Sequence, residues 1–266
     1  MKLPSLLTFS AAVFLSGPAH AALTAAYQFN EASGNSASDA IRGATGVATL
    51  NNFGGAQWVP GKIGNALEFD GANDFALALN VIPTGTTAMT ISAWVWADAA
   101  PTWGSIVKNW GDASAGSFHF GFDNTSGRIS NYLAAPQAGP LIAPGILTLN
   151  AWHHVAVTYN GSAGNQTLYI DGLQVASSTA PPDLDALTPN MSIGVKTNNS
   201  TLAASGAAAG YWDGKIDDLA FWNEALSAAQ ILQIKNNGDA GIGVVPEPSS
   251  MALLLLGVAG MSRRRR

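Results

Sequence analysis

Carboxylates near predicted strand ends are the side chains of this sequence best suited to chemistry. Five of them also lie near glycines, whose carbonyls could act as further donors: Glu31, Asp39, Asp70, Asp74 and Asp217. Hard oxygen donors of this kind are the ligands that Ca²⁺ takes in proteins. The pattern indicates calcium as a candidate cofactor, with Glu31, Asp39, Asp70 and Asp217 as its predicted ligands.

Asp217 is a special case among these carboxylates. It shares strand parity with Leu219 and Phe221, so it is predicted to point toward the core. A buried carboxylate without a partner is costly. Calcium would satisfy it, and Lys215, Arg42 or backbone N–H groups would do so equally well.

Tryptophans on predicted loops are the candidates for stacking on a sugar. Trp103, Trp110 and Trp212 lie in glycine-rich or serine-rich segments and are predicted to bind ligand. Three other tryptophans sit inside strand patterns and are predicted to be core residues: Trp94, Trp152 and Trp222.

The histidine pair His153 and His154 does not indicate a metal site. Adjacent residues on a strand point to opposite faces, so the two imidazoles cannot chelate one ion. No Ser-His-Asp arrangement, phosphate-binding loop or dinucleotide signature is readable in the sequence either.

The elements that must position these residues are short strands. The sequence holds 29 glycines, and alternating β-branched or aromatic runs are separated by clusters of turn-forming residues. Asp171-Gly172 is a type I′ hairpin signal between two such runs. The predicted fold class is all-β, with two packed antiparallel sheets and one short C-terminal helix. Thirteen strands are predicted, at residues 25–30, 48–50, 66–69, 75–79, 89–96, 105–108, 118–122, 128–133, 152–159, 166–170, 173–177, 191–195 and 214–223.

The helix is predicted from residue 228 to residue 236. Ser227 is its expected N-cap, with Gln230 three residues later, and Gly238 is its expected stop. Residues 238–244 are glycine-rich and are predicted to be a flexible linker.

Both ends of the chain carry addressing segments. Residues 1–21 begin with Lys2, continue through an apolar run and finish at Ala19-His20-Ala21, a site for signal peptidase, so they are predicted to be a cleaved signal peptide. At the other end, Val245-Pro246-Glu247-Pro248 precedes an apolar run that is shorter than the ~20 residues needed to span a bilayer. The chain closes with four arginines, which favour the cytoplasmic side: Arg263, Arg264, Arg265 and Arg266.

Residues 245–266 resemble the PEP-CTERM sorting signal. The resemblance implies transient membrane insertion through this segment and cleavage by an exosortase. It also implies an exported protein, located in the cell envelope, at the outer surface or in the medium.

About 225 residues remain between these segments, enough for one all-β domain at residues 22–237. There is no cysteine, so the domain contains no disulfide. The net charge is −5 and five of the twelve basic residues belong to the end segments. The mature surface is therefore acidic, which argues against nucleic acid as a partner.

Five stretches resemble, in order, the laminin-G-like domains of the concanavalin A-like class, a family of jelly-roll β-sandwiches. They are Tyr27-Gln-Phe-Asn-Glu31, residues 61–71 with Asp74, residues 89–95, residues 152–161 with 168–172, and residues 213–222 with 224–227. The resemblance implies that the first and last strands pair antiparallel, which would bring Glu31 near Asp217.

The same resemblance bears on catalysis. Retaining hydrolases of this fold carry Glu-x-Asp and then a second glutamate on the same strand, since glycoside hydrolysis needs paired carboxylates. Glu68-Phe69-Asp70 begins this pattern, but Ala72 and Asn73 stand where the second glutamate belongs. The chain is therefore predicted not to be an enzyme.

The predicted function is a non-catalytic, exported module that binds carbohydrate or exopolysaccharide. A structural or adhesive surface protein with protein partners is the alternative, and a polysaccharide-active enzyme is a third hypothesis, because this fold supports many functions.

Overall fold

The structure is a computed structural model that describes residues 23–55, 57–83, 85–109, 118–124, 127–133, 140–179, 190–197 and 210–245. These residues form sixteen strands and one helix. The strands are β1 Leu23–Tyr27, β2 Ser36–Asp39, β3 Gly43–Asn51, β4 Trp58–Pro60, β5 Asn65–Asp70, β6 Phe75–Ala78, β7 Ala88–Ala97, β8 Ser105–Lys108, β9 Phe118–Phe122, β10 Ile129–Leu133, β11 Leu141–Ile142, β12 Trp152–Asn160, β13 Asn165–Ile170, β14 Leu173–Thr179, β15 Met191–Ile193 and β16 Asp213–Trp222, and the helix is α1 Ala228–Asp239.

The strands pair antiparallel in two layers. One layer has the order β11-β10-β9-β8-β15-β6-β3-β2, and the other has the order β1-β16-β7-β12-β13-β14, with β5 paired to β16 and β4 to β5. One residue pair, Tyr27 with Asp39, joins β1 to β2, so hydrogen bonding continues from one layer into the other. The predicted antiparallel jelly roll is confirmed, and the implied pairing of the first and last strands is present between β1 and β16.

The core lies between the layers because apolar residues alternate along the strands. In β9, Phe118, Phe120 and Phe122 are buried in the core, and Ile91 and Val95 enter the same core from β7 in the other layer. Successive side chains of a strand point to opposite faces. The residues between these apolar positions therefore lie on the outer faces of the layers.

A β-bulge breaks this alternation in β16. The pairing of β16 with β7 shifts between Asp217 and Ala220, and Asp218 has φ 45°. Ile216 and Leu219 both enter the core, although regular alternation would put them on opposite faces. The prediction that Asp217 points toward the core with Leu219 is therefore wrong, since the extra residue of the bulge reverses its face.

Helix α1 covers the outer face of the second layer. Ser227 and Gln230 form the predicted capping box. The predicted stop is wrong, because Gly238 lies inside the helix. A Cβ on Gly238 would lie 2.3 Å from Nε1 of Trp94, so the glycine lets the helix approach this indole closely.

The helix ends instead at a Schellman motif. Gly241 has φ 73° and donates to the carbonyl of Gly238, while Ile242 donates to the carbonyl of Asn237. Both bonds satisfy carbonyls of the last turn. The left-handed position therefore falls three residues after the predicted one.

The segment predicted to be a linker continues the domain as far as it is described. The Val244 N–H donates to the carboxylate of Asp218, and the Val245 carbonyl accepts from the side chain of Gln28. Val244 and Val245 also pack on the apolar cluster beneath the helix. These contacts tie Val244 and Val245 to β1 and β16.

The predicted hairpin at Asp171-Gly172 is confirmed. The two residues have φ 51° and 78°, as a type I′ turn requires, and they connect β13 to β14. The Asp171 carboxylate also accepts from the His154 N–H and bonds Nδ1 of His153 at 2.8 Å.

Candidate functional site

The carboxylate of Asp39 is already fully hydrogen-bonded by protein groups. Its carboxylate is buried and accepts from the N–H groups of Ala26, Ile41 and Arg42. Its second oxygen is paired with the Arg42 guanidinium. The prediction of Asp39 as a calcium ligand is therefore wrong, because both carboxylate oxygens already have donors.

Asp70 is an exposed turn cap. One carboxylate oxygen accepts from the N–H groups of Ala72, Asn73 and Asp74. Partial burial raises the pKa of Asp70, but these donors outweigh it and the pKa is lower than usual. Among the described residues, no three acidic, histidine or cysteine side chains lie close enough to bind one metal ion together. The four predicted ligands therefore do not form one cluster.

Asp217 is buried with one oxygen unsatisfied. Its side chain lies on the outer face of β16, where Oδ2 accepts from the Ile63 N–H at 2.8 Å and Oδ1 has no hydrogen-bond partner. Burial raises the pKa of Asp217 to about 8. Among the other predicted partners of Asp217, a backbone N–H is present, whereas Arg42 pairs with Asp39 and Lys215 pairs with Glu68.

The loop over Asp217 brings further oxygens to the same place. A Cβ on Gly61 would lie 2.7 Å from Oδ2 of Asp217 and 2.5 Å from the Asn65 carbonyl oxygen. The Asn65 side chain donates to the Glu31 carbonyl, and Oε2 of Glu31 is buried without a partner. Carboxylate and carbonyl oxygens of this kind are the donor type that calcium prefers.

A second group of residues forms an aromatic cluster on the outer face of the first layer. Lys108, His119 and Tyr132 are cross-strand neighbours on β8, β9 and β10. The Trp103 ring lies edge-on to His119 at 5.5 Å and to Tyr132 at 5.0 Å between centroids. Lys108 Nζ lies 5.9 Å from the centre of the Trp103 ring. We call these four residues the Trp103 cluster.

The electrostatics of the Trp103 cluster follow from burial. Burial and the nearby Lys108 lower the pKa of His119 to about 3, so this imidazole is neutral at neutral pH. Burial and Lys196 lower the pKa of Lys108 to about 8. Trp103 and Tyr132 are half-exposed. The cluster thus presents two partly exposed aromatic rings, with the buried Lys108 beneath them.

The backbone of Trp103 is strained. Its φ is 60°, a left-handed conformation that bulky residues rarely adopt and that costs about 1–3 kcal/mol. A Cβ on Gly210 would lie 2.1 Å from the Trp103 carbonyl oxygen, so a glycine is required opposite it. Strain of this kind concentrates at ligand sites.

The other predicted tryptophans lie elsewhere. Trp212 is fully buried and stacks on Phe122 at 5.0 Å with 9° between the rings, so the prediction that it binds sugar is wrong. Trp110 lies outside the described residues. Trp94 and Trp222 are buried as predicted, but Trp152 is half-buried on the outer face.

Sequence reasoning missed three members of the Trp103 cluster. His119 lies between the core residues Phe118 and Phe120, and this alternation is a sequence signal that its imidazole lies on the outer face. Nothing local to the sequence indicated that Lys108 and Tyr132 would flank it, since strand register decides that.

In the described part of the chain, no helix combines the length and apolar character needed to cross a bilayer. The predicted sorting residues from Pro246 to Arg266 lie outside the described residues.

The architecture is that of a concanavalin A-like jelly roll. The chain belongs to the concanavalin A-like lectin/glucanases superfamily, whose Laminin_G_3 family model matches residues 69–232. The PEP-CTERM protein-sorting motif matches residues 244–266. The protein is therefore exported and sorted to the cell surface as an exosortase substrate. No curated protein matches the chain in sequence.

Solved structures support the fold. Domain 4 of AbnA, a GH43 extracellular arabinanase from Geobacillus stearothermophilus in complex with arabinotriose, aligns with TM-score 0.61 and 20% identity over 80% of this chain and 98% of that one. Trypanosoma rangeli sialidase aligns with TM-score 0.59 and 18% identity over 84% of this chain and 34% of its own. The receptor binding domain of botulinum neurotoxin D aligns with TM-score 0.58 and 17% identity over 81% and 52%. At these identities the likeness concerns the fold alone.

Proposed function

We propose that this protein is a non-catalytic, exported module that binds extracellular carbohydrate through the Trp103 cluster. The observation that carries the proposal is a partly exposed indole held at φ 60° with its ring 5.0 Å from a partly exposed phenol. Apolar rings with a few placed donors are typical of small-molecule sites. The arabinotriose complex of the AbnA domain supports a sugar as ligand class, and the sorting signal supports an exopolysaccharide.

The absence of catalysis is part of the proposal. Asp70 is engaged in capping its own turn, and Ala72 and Asn73 follow it where a second glutamate would be needed. The purified protein is expected to release no reducing ends from polysaccharides. Release of reducing ends at a rate above buffer would contradict this part.

Glycan binding tests the site. Trp103→Ala keeps the same backbone strain but removes the ring, so it should weaken binding on a glycan array and by calorimetry at least about tenfold, or 1.4 kcal/mol. Trp103→Phe and Tyr132→Phe retain aromatic surface and are the matched controls. Unchanged affinity in the alanine variant, with an unchanged melting temperature, would reject the Trp103 cluster as the site.

Sorting is tested separately. Replacing Pro246, Glu247 and Pro248 by alanine should leave uncleaved precursor in the membrane fraction. Normal processing of this variant would contradict the role of the motif in this chain.

We further propose one structural calcium ion at Asp217, with Asn65 and Glu31 as the other residues that would hold it. The unsatisfied Oδ1 of the buried Asp217 supports it. Equilibrium dialysis should find one ion per chain and none in Asp217→Asn.

A further inference from the structure

An acidic cavity lies at the end of the sandwich where β5 and β7 finish and β16 begins. Its volume is about 370 Å³, within the range of small-molecule sites. Five carboxylates line it: Glu68, Asp70, Asp74, Asp98 and Asp213. None of the lining residues belongs to the Trp103 cluster.

The negative charge of the cavity has little compensation. Among the described ion pairs, one cation reaches these five carboxylates: Lys215, whose Nζ lies 4.0 Å from Glu68. Burial and then Asp70 raise the pKa of Asp74 to about 6. Burial, Asp98 and Asp70 raise the pKa of Asp213. A cation in the cavity would relieve this repulsion.

A buried amide independently points to a missing ligand. Gln57 lines the cavity and is 5% exposed. Its Nε2 donates to the Gly34 carbonyl at 2.8 Å, but its Oε1 is buried without a partner. An unsatisfied buried acceptor costs about 1–3 kcal/mol, so a bound donor would stabilise this side chain.

The geometry favours an organic cation over a bare metal ion. No three acidic, histidine or cysteine side chains of the described residues converge as metal ligands, so the carboxylates surround a volume and not a point. Phe53 adds apolar surface to the lining, and its ring lies edge-on to the core residue Phe69 at 5.4 Å between centroids. The cavity therefore favours a positively charged ligand that carries many hydrogen-bond donors and some apolar surface.

We propose that this cavity binds an amino sugar with a free, protonated amine, as found in polysaccharides that lack N-acetyl groups. The ammonium group is placed among Asp74, Asp98 and Asp213, and neighbouring hydroxyls donate to Asp70 and Gln57. The inference names a sugar class and in that respect rests on the proposed function, but it assigns a second site.

Calorimetry on the processed, exported protein tests the proposal with two probes, a glucosamine tetramer and its N-acetylated counterpart. We expect the free amine form to bind at least tenfold more tightly. Asp213→Asn, Asp74→Asn and Gln57→Leu should each weaken it by about tenfold or more. Asp239→Asn is the matched control, because this carboxylate pairs with Lys62 and Lys235 outside the cavity.

Equal affinity for the two tetramers would overturn the proposal, and so would full binding by the Asp213 and Asp74 variants. Saturable calcium binding that is lost in these variants, with no affinity for glucosamine tetramer, would identify the cavity as a metal site and also overturn it. If Trp103→Ala abolishes binding of neutral glycans while no variant affects the amine probe, this inference fails and the proposed function stands. If the protein binds neither neutral glycans nor the amine probe, both this inference and the proposed function are rejected.

Discussion

If the proposed calcium ion binds at Asp217, its removal should destabilise the fold. Burial raises the pKa of this carboxyl from 3.8 to about 8. At about 1.36 kcal/mol per pKa unit, the apo fold disfavours the charged form by on the order of 5 kcal/mol. A calcium ion would allow the carboxylate to be charged and would bond the oxygen that now lacks a partner.

The expected size of this destabilisation follows from mass action. With free calcium at about 100 times the dissociation constant, binding stabilises the native state by about 2.7 kcal/mol. For a domain of this size, 1 kcal/mol shifts the melting temperature by about 2–4 °C. Chelation should therefore lower the melting temperature by roughly 5–11 °C, measured by following the β-sheet signal in circular dichroism.

The variants separate this site from other acidic residues. Asp217→Asn has no charge to bury, so its melting temperature should not respond to calcium and should equal or exceed that of the chelated wild type. Asp70→Asn changes an exposed turn cap and should keep the full response. Superimposable melting curves of the wild type with calcium and with chelator would refute the reasoning.

Three further predictions concern the fold. Trp212→Ala should reduce the free energy of unfolding by about 3–5 kcal/mol in urea denaturation, because its ring is fully buried; a loss below 1 kcal/mol would contradict its core role. Gly238→Ala gains about 1 kcal/mol of helix propensity, but its new methyl group would clash with the Trp94 indole beneath it. Because overpacking costs about 1–3 kcal/mol, the melting temperature of this variant should fall. The melting temperature of the exposed control Asn236→Ala should not fall. The bond to Asp171 raises the pKa of His153, so this pair adds stability below about pH 6.5 that is lost as the pH rises through the raised pKa. Asp171→Asn keeps the turn and should return the His153 pKa, measured by NMR, toward its usual value; an unchanged titration would show that the bond has no effect.

Part of the candidate site could be predicted from residues close in sequence. Trp103 was identified from its loop composition, and the structure leaves its ring half-exposed. Its partners Lys108 and Tyr132 come from other strands, and only the register of β8, β9 and β10 makes them neighbours. Trp212 has a similar loop context, yet tertiary packing stacks it on Phe122 in the core.

The acidic cavity illustrates the same limit. Asp70 and Asp74 are four residues apart and were recognised as oxygen donors. Asp98 and Asp213 join them because β7 ends where its antiparallel partner β16 begins. Spacing along the chain cannot show such convergence, because the pairing is long-range.

The sequence by itself determined most of the strand pattern, though not β2, β4 and β11, as well as the Asp171-Gly172 turn, the start of the helix at Ser227 and the C-terminal sorting motif. Each of these depends on backbone preferences and side-chain alternation within a few residues. Only the tertiary structure decided the face of Asp217, where a bulge reverses the alternation, and the end of the helix, where Gly238 packs on Trp94. These features depend on contacts between segments far apart in the chain, which local propensity does not encode.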